Sequence, residues 1–299
     1  MKAVFDSRQW HHEPQYFMAN GLTKPSPEQA ERIARLTDGA NAAGCDFIAP
    51  RDAGLGPIAA VHTPEYVTFL RNIYTRWQRM PEAGKEVIPN IHPANRSDTY
   101  PKSAVGQAGY HQADTACPIG AHTYEAAYWS AQSAVTAADL VAGGDRAAYA
   151  LCRPPGHHAF GDLAGGFCFL NNSAIAAQRL QGLCLRVAIL DVDVHHGNGT
   201  QGIFYDRADV LTVSLHADPA RFYPFFWGHA DERGAGAGIG CNFNLPLSRG
   251  TGDDTYLESL DRALERIEAF GADAVVVALG LDAYEGDPFQ GLAITPPGF

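Results

Sequence analysis

Leu190-Asp191-Val192-Asp193-Val194-His195-His196-Gly197-Asn198-Gly199 is the stretch on which the reading of this chain turns. It starts as the end of an apolar run over 187–194 and finishes in a glycine-rich loop, the profile of a strand that delivers side chains to one edge of a sheet. If the strand continues to position 195, its two-residue period sends Asp191, Asp193 and His195 to one side. Two carboxylates and an imidazole at the end of an apolar strand are costly unless paired or bound to a metal ion. The plain alternative is a buried Asp–His hydrogen bond. In α/β folds, the carboxyl edge of a parallel sheet is also where ligands bind.

Similar runs lie at 1–5, 148–152, 210–215 and 274–281, and their continuous apolar character predicts strands buried on both faces. Helices are expected over 27–43, 64–78, 124–142, 173–181 and 254–270. In the last of these Leu257, Leu260, Leu264 and Ile267 recur at helical spacing and Gly271 supplies a stop. Alternating strands and helices predict an α/β fold with a mainly parallel sheet. No repeat, low-complexity tract or linker divides the chain, so a single domain over 1–299 is expected. Residues 81–118, with five prolines, form one long excursion, which marks a functional or interface loop.

Composition narrows the class. The 299 residues carry 22 Lys+Arg against 33 Asp+Glu, a formal net charge of −11. That balance argues against a nucleic-acid binder, and suits a cationic partner or an ordinary acidic cytoplasmic enzyme. No apolar run reaches the roughly 18 residues of a membrane span, and the first residues do not resemble a secretion signal. The six cysteines form no C-x-x-C pair and read as reduced core residues.

Three further segments carry candidate chemistry. Val275-Val276-Val277-Ala278-Leu279-Gly280-Leu281-Asp282 places another carboxylate at a strand end, although alone it is as good a loop residue or helix cap. With Asp193 and His195 it makes a set of one nitrogen and two oxygen ligands with open positions, for which Zn²⁺ fits first and Fe²⁺ competes. Cys152-Arg153-Pro154-Pro155-Gly156-His157-His158 aims two imidazoles from a stiff turn, as acid–base chemistry near neutral pH requires. By contrast, His11-His12 reads as a surface pair. Gly165-Gly166-Phe167-Cys168-Phe169-Leu170-Asn171-Asn172 allows close backbone approach, with Phe167 as a wall or simply as core. The glycines of 234–240 do not have phosphate-loop spacing.

Together these motifs resemble the zinc-dependent histone deacetylase superfamily, and within it the bacterial acetylpolyamine amidohydrolases. The resemblance implies an arginase/deacetylase-like three-layer sandwich with a central, mainly parallel eight-stranded sheet. It implies Zn²⁺ on Asp193, His195 and Asp282, and a catalytic pair His157 and His158, with Asp191 behind the first and Asn198 near the second. Structural K⁺ is implied at Asp191, Asp193, His195, Ser214 and Leu215, with a second ion near carbonyls of Phe204, Arg207 and Val210. Gly166, Phe167 and Tyr223 would line the substrate tunnel, and Asp114 would meet a substrate ammonium. A homodimer acting on small acetylated polyamines is implied, with 81–118 at the tunnel mouth. An acetyl-lysine protein deacetylase is the nearest alternative. A two-manganese arginase-like centre fits less well, because Gly197 stands where such sites carry a second Asp. The family's late Gly-Gly-Tyr does not occur in the chain, whose last residue, Phe299, lies 17 positions after Asp282. This raises two expectations: a C-terminally truncated piece, or a catalytically weak binder of acetylated amines.

Overall fold

Val187–Asp191 is an inner strand, flanked on both sides by parallel neighbours, in the computed structural model, which describes residues 1–93, 96, 97, 99–183 and 186–299. Cys184 and three positions of the 81–118 excursion (94, 95 and 98) lie outside the described residues. The chain forms two compact units, 1–176 and 177–299, and each has its own hydrophobic core.

In the first unit, β1 (Lys2–Val4), the hairpin β2 (Tyr16–Ala19) and β3 (Leu22–Pro25), α1 (Glu31–Ala42) and β4 (Asp46–Ile48) come first. Then follow α2 (Gly56–Ala59), α3 (Pro64–Trp77), α4 (Ala104–His111), α5 (Thr123–Ala142) and β5 (Ala148–Ala150). Strands β4-β1-β5 form a parallel sheet in that order. The excursion is not wholly loop. Ser103 caps α4 by accepting the Gly106 N–H at 3.0 Å, and Val87, Ala104, Ala108 and Cys117 enter the core beside Phe69, Leu70 and Ile73.

The division between the units falls within α6 (Asn172–Gln181). The second unit holds β6 (Val187–Asp191), α7 (Asn198–Phe204), β7 (Val210–Ala217), β8 (Asn242–Leu247), α8 (Asp253–Phe270) and β9 (Ala274–Ala278). Its sheet runs β8-β7-β6-β9, all parallel. The described strands thus give seven parallel strands in sheets of three and four, where the resemblance implies eight in one sheet.

Two expectations need correction here. Strand β9 is an edge strand, not one buried on both faces: Val275 and Val277 are 46% and 50% exposed. Helix α8 packs on β7 and β8, which leaves this face of β9 open. The buried stripe of α8 is Tyr256, Ser259, Ala263, Ile267 and Phe270, so Leu257 and Leu264 point outward; Gly271 does end the helix, in the left-handed conformation at φ +71°. Strand β8, with two asparagines and Pro246, has a sequence suited to an edge strand, which is its place in the sheet.

Candidate functional site

Strand β6 ends at Asp191, four residues before His195, so alternation along a strand is not what gathers the acidic residues. The carboxylates do this themselves. Asp191 Oδ1 accepts the Asp193 N–H at 3.1 Å, and Asp193 Oδ1 accepts the His195 N–H at 2.8 Å. Each short acidic side chain ties down the backbone two residues on, which curls the chain as it leaves the sheet. Asp282, four residues beyond the end of β9, accepts the Val194 N–H at 3.0 Å on Oδ1. Its other oxygen, Oδ2, lies 3.0 Å from His195 Nδ1, and the same nitrogen is 3.1 Å from Asp193 Oδ1. One nitrogen and two carboxylate oxygens therefore converge, all within 4.8 Å of one another.

Gly280 makes this convergence sterically possible. A Cβ there would lie 2.2 Å from Asp193 Oδ2 and 2.4 Å from its Cγ. Aromatic rings close the other sides: Phe222 stacks on the His195 ring at 5.1 Å, while Tyr223 and Phe289 meet it edge-on at 6.1 and 5.1 Å. Of these only Tyr223 is expected from sequence; Phe222 and Phe289 carry no local signal. The cluster concentrates negative charge around one imidazole. Burial alone would lower the His195 pKa, yet hydrogen bonds and charge from Asp193 and Asp282 hold it at about 10. Burial, then the charges of Asp191, Asp193 and Asp282, push the Tyr256 phenol up. Residues that trap a proton between two carboxylates fit a divalent ion with N and O ligands and further open positions.

Of the positions implied for K⁺, Asp191 and Ser214 border a cavity of about 10 Å³ together with His196, Thr200, Gln201 and Asn244. That volume matches a single water or ion. Ser214 Oγ is 2.8 Å from His216 Nδ1, and Leu215 is fully buried. Asn198 begins α7, its N–H donating to the His196 carbonyl at 2.9 Å.

In the first unit, His157 and His158 are 8% and 5% exposed, with ring centroids 4.0 Å apart. Gly156 lets the turn before them pack closely, since a Cβ there would stand 2.5 Å from the Asn172 nitrogen. Behind it the Arg153 guanidinium is fully buried on Glu28, with contacts of 2.8 and 3.0 Å, and donates to the Gln9 carbonyl at 2.9 Å. Gly166 and Phe167 both have positive φ, +51° and +69°, inside a two-residue turn closed by Gly165 and Cys168. Two positive φ values are what a type I′ hairpin turn requires. The Asp114 carboxylate accepts the Gly166 N–H at 3.1 Å and the Ala116 N–H at 2.8 Å, a backbone duty that its sequence did not announce. Phe167 meets Phe17 of β2 edge-on at 6.1 Å. The second histidine pair is also corrected: His11 is exposed, but His12 is 2% exposed and not on the surface.

Residues 26–299 match the histone deacetylase domain family. The chain belongs to the histone deacetylase family. It is 48% identical over 300 residues to an acetylpolyamine amidohydrolase of Burkholderia pseudomallei, covering all of this chain and 87% of that protein. It is 43% identical to acetylpolyamine amidohydrolase 1 of Pseudomonas aeruginosa, covering all of this chain and 88% of the relative. A crystal structure of the Burkholderia pseudomallei acetylpolyamine aminohydrolase superposes with a TM-score of 0.97, at 48% identity, over the whole chain and 87% of that structure. Among the described residues no helix is long and apolar enough to cross a membrane.

Proposed function

We propose that this chain is a metal-dependent amidohydrolase that removes acetyl groups from acetylated polyamines. The observation that carries this reading is the convergence of Asp193, His195 and Asp282 on one point, in a chain 48% identical to an acetylpolyamine amidohydrolase. These three side chains would hold the divalent ion, Zn²⁺ ahead of Fe²⁺. Such an ion supplies Lewis acidity and lowers the pKa of water.

The remaining work falls to the protein. His157 and His158 manage the protons: a neutral imidazole accepts one from the attacking water, and a protonated imidazole donates to the departing amine. Asp191 would serve as the carboxylate behind the first ring, as the resemblance implies. Asn198, a neutral side chain, would stand behind the second, as the resemblance implies. Phe167 and Tyr223 are the residues that the resemblance implies for a substrate tunnel, which would fit a linear alkyl chain, and the Gly166 carbonyl would receive the amide N–H. Asp114 holds the Gly166 turn and adds a negative charge for a substrate ammonium. Asp191, Asp193, His195, Ser214 and Leu215, partly through backbone carbonyls, would hold K⁺ in a structural role. The working form is a cytoplasmic homodimer, with 81–118 shaping the tunnel mouth.

Turnover of acetylputrescine, acetylspermidine and an acetyl-lysine peptide by Zn²⁺-loaded protein tests this reading. The small amines are expected to give the higher kcat/KM. Preference for the peptide would make the chain a protein deacetylase instead, and binding without turnover would make it a binder of acetylated amines.

A further inference from the structure

His11, His122 and Glu125 form a second group of metal-ligand type, and their ligand atoms also lie within 4.8 Å of one another. His11 ends the 3₁₀ helix Ser7–His11, His122 is the residue before α5, and Glu125 lies in the first turn of α5. The His11 and His122 rings are 5.5 Å apart, and His122 Nδ1 is 3.9 Å from Glu125 Oε2. None of this belongs to the centre at Asp193, and the function proposed above does not use it.

The backbone under these side chains is held from below. His12, next to His11, is buried, with Nδ1 3.1 Å from Thr123 Oγ1, and Thr123 is the neighbour of His122. Thr123 Oγ1 also accepts the Gly120 N–H at 2.9 Å. The two histidines thus flank a buried bond between their own chain neighbours. Glu125 stands three residues after His122 on the same helix face. The platform is stiff, since α5 runs for 20 residues with most of one side buried, and Gln9 Nε2 reaches Ser133 Oγ on it at 3.4 Å. Arg8, the cation whose charge reaches Glu125, is committed elsewhere. It binds the Asp6 carboxylate at 2.7 and 2.6 Å and lies over the Trp129 ring at 3.3 Å.

We propose that His11, His122 and Glu125 form a second, solvent-facing site for a borderline divalent ion of the Zn²⁺ class. Two imidazole nitrogens and one carboxylate oxygen select Zn²⁺, Cu²⁺ or Ni²⁺ over Mg²⁺ and Ca²⁺, which favour all-oxygen sets. Tetrahedral Zn²⁺ with arms near 2.0–2.1 Å needs its ligand atoms about 3.3 Å apart. The exposed side chains close the remaining distance by rotating, while the backbone stays in place. Water completes the coordination. The bound ion clamps the 3₁₀ helix to the start of α5, so Zn²⁺ beyond the first equivalent raises the melting temperature.

The test is a calorimetric Zn²⁺ titration of protein already carrying its catalytic ion, followed by melting curves. A second, weaker equivalent is expected, unaffected by Mg²⁺ or Ca²⁺. His11→Ala and His122→Ala should each weaken it by at least about tenfold and remove the Zn²⁺-dependent rise in Tm. Glu125→Gln should do so to a lesser degree, and the exposed control His92→Ala should do neither. Uptake that stops at one equivalent overturns the proposal. So does a second equivalent that persists at full affinity in both histidine variants, which would place that ion elsewhere.

Discussion

The two ligand clusters of this protein have nearly the same chemistry and opposite settings. Asp193, His195 and Asp282 are 19%, 11% and 23% exposed in their side chains; His122 and Glu125 are 58% and 48% exposed. In the first cluster each acceptor is already fixed by backbone N–H groups, a glycine leaves room for it, and three aromatic rings pack around the His195 ring. In the second, only the backbone beneath is fixed. A pre-ordered set concentrates charge strongly enough to hold a proton on His195 at a pKa of about 10. The contrast shows that ligand identity chooses the kind of ion, while burial and backbone anchoring set how tightly it is held and whether it can do chemistry.

The largest effect belongs to the buried cluster. Asp193→Ala should remove both tight ion binding and deacetylation, a loss of several kcal/mol in transition-state stabilisation. Metal content and kcat measured on the same sample check this; an Asp193→Ala protein that keeps one tightly bound ion would remove the distinction between the clusters.

Next comes the buried scaffold, through pH. Burial holds His12 neutral, with Arg153 adding to the effect, and its pKa falls to about 3; burial also lowers His62 and His216 to about 4. The unfolded chain binds these protons near pH 6.5 and the folded chain does not, so stability rises with pH across this range. The contribution is fully present above about pH 6.5 and is lost as the pH falls toward 4, by about 1–3 kcal/mol per histidine. Tm measured from pH 7 down to 4 should fall steeply, and His12→Gln should flatten the curve. A flat Tm over that interval would contradict the burial of these rings.

Gly280→Ala should cost about 1–3 kcal/mol of stability through steric overlap with Asp193, and should weaken the ion at the buried cluster without touching a ligand. Unchanged affinity would mean that the close approach of Asp193 to Gly280 is dispensable. The smallest effect is at the exposed cluster. In Zn²⁺-free buffer, His122→Ala should shift stability by no more than about 0.5 kcal/mol, as ordinary surface substitutions do. A larger loss in a denaturant melt would mean that His122 is part of the fold and not an idle ligand.

Much of the buried site could be read from local sequence. Apolar runs ending in Asp191 and in Leu281-Asp282 announced strand ends with acids, and the turn from Arg153 to His158 announced aimed imidazoles. The route to convergence was not legible there, because β6 stops at Asp191 and carboxylate-to-backbone hydrogen bonds, not strand pleat, gather the ligands. Phe222 and Phe289, 67 positions apart in sequence, could not be paired with His195 from any local pattern. The Asp114 bond to the Gly166 N–H likewise spans 52 positions.

By itself, then, the sequence determined which residues have the chemistry and which runs become strands and helices, because both depend on side-chain type and on spacing over a few residues. Tertiary structure alone decided which of those residues meet and which are buried. His11 and His12 are adjacent and identical in type, yet one reaches solvent beside Glu125 and the other sits against Thr123 with a pKa near 3. Adjacent residues share a backbone but not a neighbourhood, and burial, charge and ligand geometry belong to the neighbourhood.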